Sequence, residues 1–231
     1  LQPQWSVYGS YSKSFRPNTS IASAIGDLPP EQGTAWEIGT KWVGEDLTAT
    51  AAIFNIDKKN IQTNILVDGV YYTRVSGRAR SRGLEFDLSG RLTSALSIVG
   101  SYAYTDARTT EDPILKGLPL DGVSRHTASA FLTRDFGTVG AGRLRAGAGV
   151  RAYSKWGAGD GNGKVYYLPS GTVVDAFVAY EMPVRGRLVS LQLNLKNLFD
   201  KTTYTSNSGL GSPAIAIGEP RQVLVRAKVD F

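Results

Sequence analysis

The sequence predicts an all-β protein, a transmembrane antiparallel up-and-down β-barrel wall of about ten strands. Three observations carry this expectation. Apolar and polar residues alternate with period two in segment after segment, up to the last residue. Short connections alternate with long ones dominated by Gly, Pro, Asn, Asp and Ser. No run of about 18 apolar residues occurs, which excludes a spanning helix but not a strand of about ten residues.

The final segment shows the alternation most clearly. Val223, Val225, Ala227, Val229 and Phe231 share one face, and Gln222, Leu224, Arg226, Lys228 and Asp230 share the other. Upstream, Trp36, Ile38 and Trp42 stand against Glu37, Gly39 and Lys41. Leu84, Phe86 and Leu88 stand against Glu85, Asp87 and Ser89; Leu96, Ile98, Tyr102 and Tyr104 against Ser97, Val99, Ser101 and Thr105. Leu144 to Val150, Val174 to Tyr180 and Val189 to Leu195 repeat the pattern. Residues 47–57 and 126–134 fit either face assignment. Strand starts are expected near residues 4, 34, 46, 72, 95, 124, 143, 172, 188 and 220. The short connections are VGED, LTSA, the DFGTVGAG stretch and PVRGR; the long ones are residues 14–33, 58–71, 107–123, 157–170 and 201–219. Short turns at one end and long loops at the other describe an outer-membrane barrel with its long loops outside the cell. Trp5, Trp42, Tyr102, Tyr104, Tyr153 and Trp156 near strand ends suit its interfacial girdles.

Composition removes several function classes. Among 231 residues there is no Cys, so disulfide frameworks, thiolate metal sites and cysteine nucleophiles are excluded. The net charge of +6 is scattered and forms no basic run with interleaved aromatics, so no nucleic-acid partner is expected. His126 is the one histidine, and no serine sits in a nucleophile elbow; no catalytic residue and no metal site is expected. The run Gly157 to Lys164 lacks the Ser/Thr of a phosphate loop and reads as a flexible external loop. Leu1, with neither an initiating Met nor a charged-then-apolar leader, implies a start inside a larger protein or after processing.

The terminal region resembles the end of TonB-dependent outer-membrane receptors of the siderophore (ferric-chelate) type. It carries Asn197, Leu198, Phe199, Asp200 and Lys201, then Gly218, Pro220 and Arg221, then a terminal Phe231. The segments YSKSFRPN (Tyr11 to Asn18), LPPEQGTAWEIGTKW (Leu28 to Trp42), IFNIDKKNI and SRGLEFDLSG resemble further segments of that family in the expected order. The resemblance implies that residues 1–231 are the C-terminal portion of the receptor barrel, about the last ten strands of about 22, with the N-terminal plug and earlier strands absent. It implies residence in the bacterial outer membrane and TonB-dependent uptake of ferric siderophores. Its partners would be the ferric siderophore, outer-membrane lipid, TonB through the missing N-terminal part, and the barrel-assembly machinery reading Phe231. No cofactor would be held by protein ligands, since iron arrives only inside the siderophore. Aromatic and cationic side chains around the upper lumen and loops would bind that anionic chelate; the candidates are Tyr71, Tyr72, Arg74, Arg125, Trp156, Tyr166, Tyr167 and Tyr204.

Other readings stay open at this point. The same machinery imports cobalamin, haem or glycans; a complete small passive barrel or adhesin, and a soluble β-sandwich, also alternate in this way. An isolated ten-strand sheet is expected to aggregate through its two unpaired edges.

Overall fold

The structure is a computed structural model that describes residues 3–18, 23–24, 28–67, 70–75, 77–159, 163–209 and 212–230. Ten long strands form one antiparallel meander: β1 (Trp5–Arg16), β2 (Glu31–Val43), β3 (Leu47–Lys59), β4 (Arg78–Thr93), β5 (Leu96–Glu111), β6 (His126–Val139), β7 (Gly142–Tyr153), β8 (Gly171–Val184), β9 (Arg187–Lys196) and β10 (Gln222–Val229). Each strand pairs with its neighbours in sequence, with no crossover, in the order β1 to β10. Nine of the ten starts lie within three residues of expectation. The exception is the fourth, at Arg78 instead of near residue 72. Residues 70–75 alternate and are rich in β-formers, but they pair with 62–67 in a separate hairpin off the wall.

The turns at one end are tight. Arg185 and Gly186, at φ 50° and 78°, make a two-residue turn whose left-handed backbone matches the strand twist. The DFGTVGAG stretch is mostly strand, and its turn is confined to Gly140 and Ala141. At the other end the connections run through residues 17–30, 60–77, 112–125, 154–170 and 197–221.

Register assigns the faces, because directly paired residues point to the same side of a sheet. One face carries Trp5, Val7 and Tyr11 on β1, Trp36, Ile38 and Trp42 on β2, and Ala49, Ala51 and Ile53 on β3. It continues through Leu84, Phe86 and Leu88 on β4, Ile98, Tyr102 and Tyr104 on β5, and Ala128, Ala130 and Leu132 on β6. Ala146, Ala148 and Val150 on β7, Val174, Ala176 and Val178 on β8, Leu191, Leu193 and Leu195 on β9, and Val223, Val225 and Ala227 on β10 complete it. This aliphatic face is not covered: Val225 is 76% exposed, Val7 60% and Ile38 53%. A water-soluble sandwich buries such a face against a second sheet, and a contiguous apolar surface of this size marks a membrane protein.

The opposite face carries Glu37, Lys41, Glu85, Asp87, Arg145, Arg151, Asp175, Glu181, Gln192, Asn194 and Arg226. It also carries rings, each seated over a glycine on the next strand. Phe131 lies against the position a Cβ would take at Gly147, 2.8 Å from it, and Phe54 against that of Gly83 at 3.0 Å. Tyr8 lies over Gly39, Tyr153 over Gly171, and Phe131 and Phe177 stack with their centroids 5.9 Å apart above Gly147 and Gly149. These glycines are required for space, since any side chain there would displace a ring.

The girdle expectation holds for Trp5 and Trp42, on the aliphatic face near strand ends; Tyr102 and Tyr104 share that face but stand at the middle of β5, level with the start of β6. It fails for two residues. Tyr153 points to the polar face, where Gly171 leaves room for it, and Trp156 is buried within the loops at 4% exposure. His126, at the start of β6, packs on Tyr102 and Tyr104: its Nδ1 lies 2.9 Å from the Tyr102 hydroxyl, and its ring 5.2 Å from that of Tyr104.

Candidate functional site

The described residues of the long connections extend the wall. Residues 117–125 run beside the upper end of β5, with Thr105 N donating to Arg125 O (2.9 Å) and Leu120 N to Ala107 O (3.0 Å). An isolated bridge from Ser124 to Trp156 carries the sheet into a hairpin of Trp156–Gly159 with Val165–Leu168. A second hairpin pairs Tyr204–Gly209 with Ser212–Ile217. A third, Gln62–Val67 with Val70–Val75, takes Ser23–Ala24 from the first long connection as a parallel third strand.

Where the first two hairpins meet, Trp156, Ala158 and Leu168 form a small core, with Tyr153 and Tyr204 packed on it. Beside it opens a cleft of about 540 Å³ lined by Asp121, Ser124, Thr127, Tyr153, Trp156 and Tyr204. Thr127 and Tyr153 are polar-face residues, so the cleft opens on that side of the wall. Asp121 Oδ1 accepts a hydrogen bond from Gly159 N (2.7 Å), which fixes the hairpin against residues 117–125. Apolar ring area with a few convergent polar groups is the usual make-up of a small-molecule site.

Hairpin register separates two adjacent tyrosines. Tyr166 pairs with Ala158 and shares the face of Trp156 and Leu168; Tyr167 pairs with Gly157 and points the other way. Each carries a cation over its ring, Lys164 at 4.8 Å from Tyr166 and Lys155 at 5.3 Å from Tyr167. Tyr167 lines a second cleft of about 510 Å³ with Asp106, Arg108, Arg125, His126 and Trp156.

Five of the eight sequence-derived candidates thus gather in one loop cluster. Trp156, Tyr166 and Tyr204 are on one side of it, Arg125 and Tyr167 on the other, with Trp156 bordering both clefts. Tyr72 is in the third hairpin, half-buried, paired with Ile65 and Ser23. The side chains of Tyr71 and Arg74, and Phe231, lie outside the described residues.

Sequence reasoning assigned no role to Asn197, and it organises the cluster. It is 3% exposed at φ 48°, a conformation asparagine tolerates better than most residues. Its Nδ2 donates to Lys201 O (2.9 Å) and Glu219 O (3.1 Å), its Oδ1 accepts from Lys201 N (2.9 Å), and its backbone N donates to Asp175 Oδ1 (2.8 Å). Asp200 Oδ1 accepts from Arg221 N (2.9 Å). These bonds close the base of the 197–221 connection and deliver Tyr204 to the cleft. The signal in the sequence was the Asn-Leu-Phe-Asp-Lys motif itself, which was legible as a resemblance but not as a latch. Among the described residues no group of three His, Asp or Glu is placed to hold a metal ion.

An uncovered aliphatic face, tight turns at one end and long connections at the other define a sector of an outer-membrane β-barrel, with the aliphatic face toward lipid and the polar face toward the lumen. The chain belongs to the TonB dependent receptor-like β-barrel family, whose profile matches residues 1–198. It is 38% identical to an uncharacterized TonB-dependent receptor of Haemophilus influenzae, over 99% of this chain and 69% of that protein. It is 34% identical to the ferrichrome outer membrane transporter/phage receptor of Escherichia coli, over 97% of this chain and 30% of that protein. It is 32% identical to the metal-pseudopaline receptor of Pseudomonas aeruginosa, over 99% of this chain and 32% of that protein. The ferric preacinetobactin receptor from Acinetobacter baumannii superposes with a TM-score of 0.84 over 100% of this chain and 35% of that chain; at 22% identity this shows the fold. The siderophore receptor PiuA from the same organism gives 0.76 at 26% identity, over 98% of this chain and 33% of that chain. The chain therefore spans about two thirds of the first relative and about a third of the others. These relatives are receptors and transporters, not enzymes.

Proposed function

We propose that this chain is the C-terminal wall of a receptor of about 22 strands that takes up ferric siderophores across the outer membrane, driven by TonB through a plug outside these residues. The observation that carries the reading is the lumen-side cleft of Tyr153, Trp156 and Tyr204, held open by the Asn197 latch. Rings with polar edges give a bulky chelate apolar area at low entropic cost, and Lys164, over the Tyr166 ring on the side of Trp156, adds positive charge there for an anionic one. The ferrichrome relative supports a ferric chelate as cargo; the metal-pseudopaline relative supports a metal chelate more broadly. Tyr72, and Tyr71 and Arg74 beside it, would contribute from the third hairpin.

Quenching of tryptophan fluorescence in the full-length receptor tests this, titrated with ferrichrome, ferrioxamine B, ferric enterobactin, haemin and cyanocobalamin. Saturable quenching by a ferric chelate, lost in Tyr204→Ala, is expected. Saturation by haemin or cyanocobalamin alone would replace the siderophore assignment.

A further inference from the structure

On the lipid side of β2 to β5, cross-strand pairs form level rows. The last apolar row is Ile38, Ile53, Leu84 and Tyr104. The next toward the loops is Trp36, Asn55, Arg82 and Asp106, then Thr34, Asp57, Arg80 and Arg108, then Gln32, Lys59 and Arg78, with Glu111 opposite Arg78. The rows are about 5 Å apart in height, because two residues of a strand tilted by about 45° rise that far. Charges therefore begin at the depth of lipid head groups and continue about 10 Å above it.

This outward patch holds five cations (Lys59, Arg78, Arg80, Arg82, Arg108) against three carboxylates (Asp57, Asp106, Glu111). The carboxylates are shared among the guanidinium groups: Arg80 meets Asp57 at 2.7 Å, Arg78 meets Glu111 at 3.3 Å, and Asp106 takes both Arg108 and Arg82, the latter at 3.6 Å. Asn55 Nδ2 also donates to Asp57 Oδ2 at 2.6 Å. The bonds fix the guanidinium groups in place and leave the cations in excess. Between them lies a cleft of about 460 Å³ lined by Thr34, Asp57, Lys59, Arg78, Arg80 and Glu111. The patch does not reach β7 and β8, where the last lipid-side pair before the loops is Ala152 with Thr172.

We infer that this cleft binds the phosphorylated head group of an outer-leaflet lipid. Fixed arginines present paired N–H donors that match phosphate oxygens, and at this depth, on this side of the wall, lipid phosphate is the anion within reach. The site is distinct from the lumen-side cleft, so it stands or falls independently of the siderophore reading.

The test is native mass spectrometry of the full-length receptor in detergent, with hexa-acylated lipid A bisphosphate, its dephosphorylated form, or inorganic phosphate as probe. Lipid A bisphosphate is expected to be retained at least about tenfold better than the dephosphorylated form, and 10 mM inorganic phosphate is not expected to displace it. An R80Q/R82Q/R108Q variant should lose that preference, while R134Q, on the lipid side near the opposite strand ends, should keep it. Equal retention of the two lipids by the unmodified receptor overturns the inference whether or not the triple variant folds. So does equal preference in a folded triple variant, and displacement by phosphate removes the lipid as the source.

Discussion

The two faces of the same ten strands obey different rules. The lipid face is built from Ala, Val, Leu and Ile with interspersed aromatic residues, and most of these neighbours simply repeat one another. The lumen face is heterogeneous: ion pairs such as Arg145 with Glu181 (2.6 Å) and Arg151 with Asp175 (3.0 Å), and rings laid over glycines. The solvent explains the difference. Hydrocarbon tolerates any apolar shape but no charge, whereas the lumen accepts charge and constrains shape through specific partners. Sequence changes should therefore be judged by face before chemistry.

The sharpest way to break the comparison is to move a charge across it. Ala148→Arg, mid-strand on the lipid face, is expected to destabilise the folded receptor by about 2–4 kcal/mol, whereas Asn194→Arg on the lumen face should change stability little. Urea unfolding of the full-length receptor in lipid vesicles measures both. Asn197→Ala comes next, at about 2 kcal/mol, because it strips partners from Lys201 N and from the carbonyls of Lys201 and Glu219. Its unfolding midpoint should fall, and proteolysis within residues 197–221 should accelerate. Gly149→Val should cost about 1–3 kcal/mol by displacing Phe131, and the double variant Gly149→Val, Phe131→Ala should recover part of that loss. Smallest is Arg145→Gln, whose ion pair is half-exposed; a shift below about 1 kcal/mol is expected.

The same contrast explains what the sequence disclosed. Alternation was legible wherever the lumen face was polar, as in β9 and β10. It blurred over residues 47–57 and 126–134 because Phe54 and Phe131 point inward, each covering a glycine on the neighbouring strand. Gly83, Gly147 and Gly149 lie far from those rings in sequence, so the pattern along one strand carried no sign of the compensation. Register resolves both segments: Ala49, Ala51 and Ile53 face lipid, as do Ala128, Ala130 and Leu132. The cluster was legible as residue types, Trp156, Tyr166 and Tyr204 among them. Its division into two sides was not, because Tyr166 and Tyr167 part only through hairpin pairing with Ala158 and Gly157.

The rings over glycines also shape the relief of the lumen face. An aromatic side chain standing upright would project into the lumen, while one lying in the hollow of a missing Cβ adds little more than its own van der Waals thickness, about 3.5–4 Å. Tyr8, Phe54, Phe131, Tyr153 and Phe177 thus lie low against the wall, and the relief of the lumen face is left to the charged side chains between them.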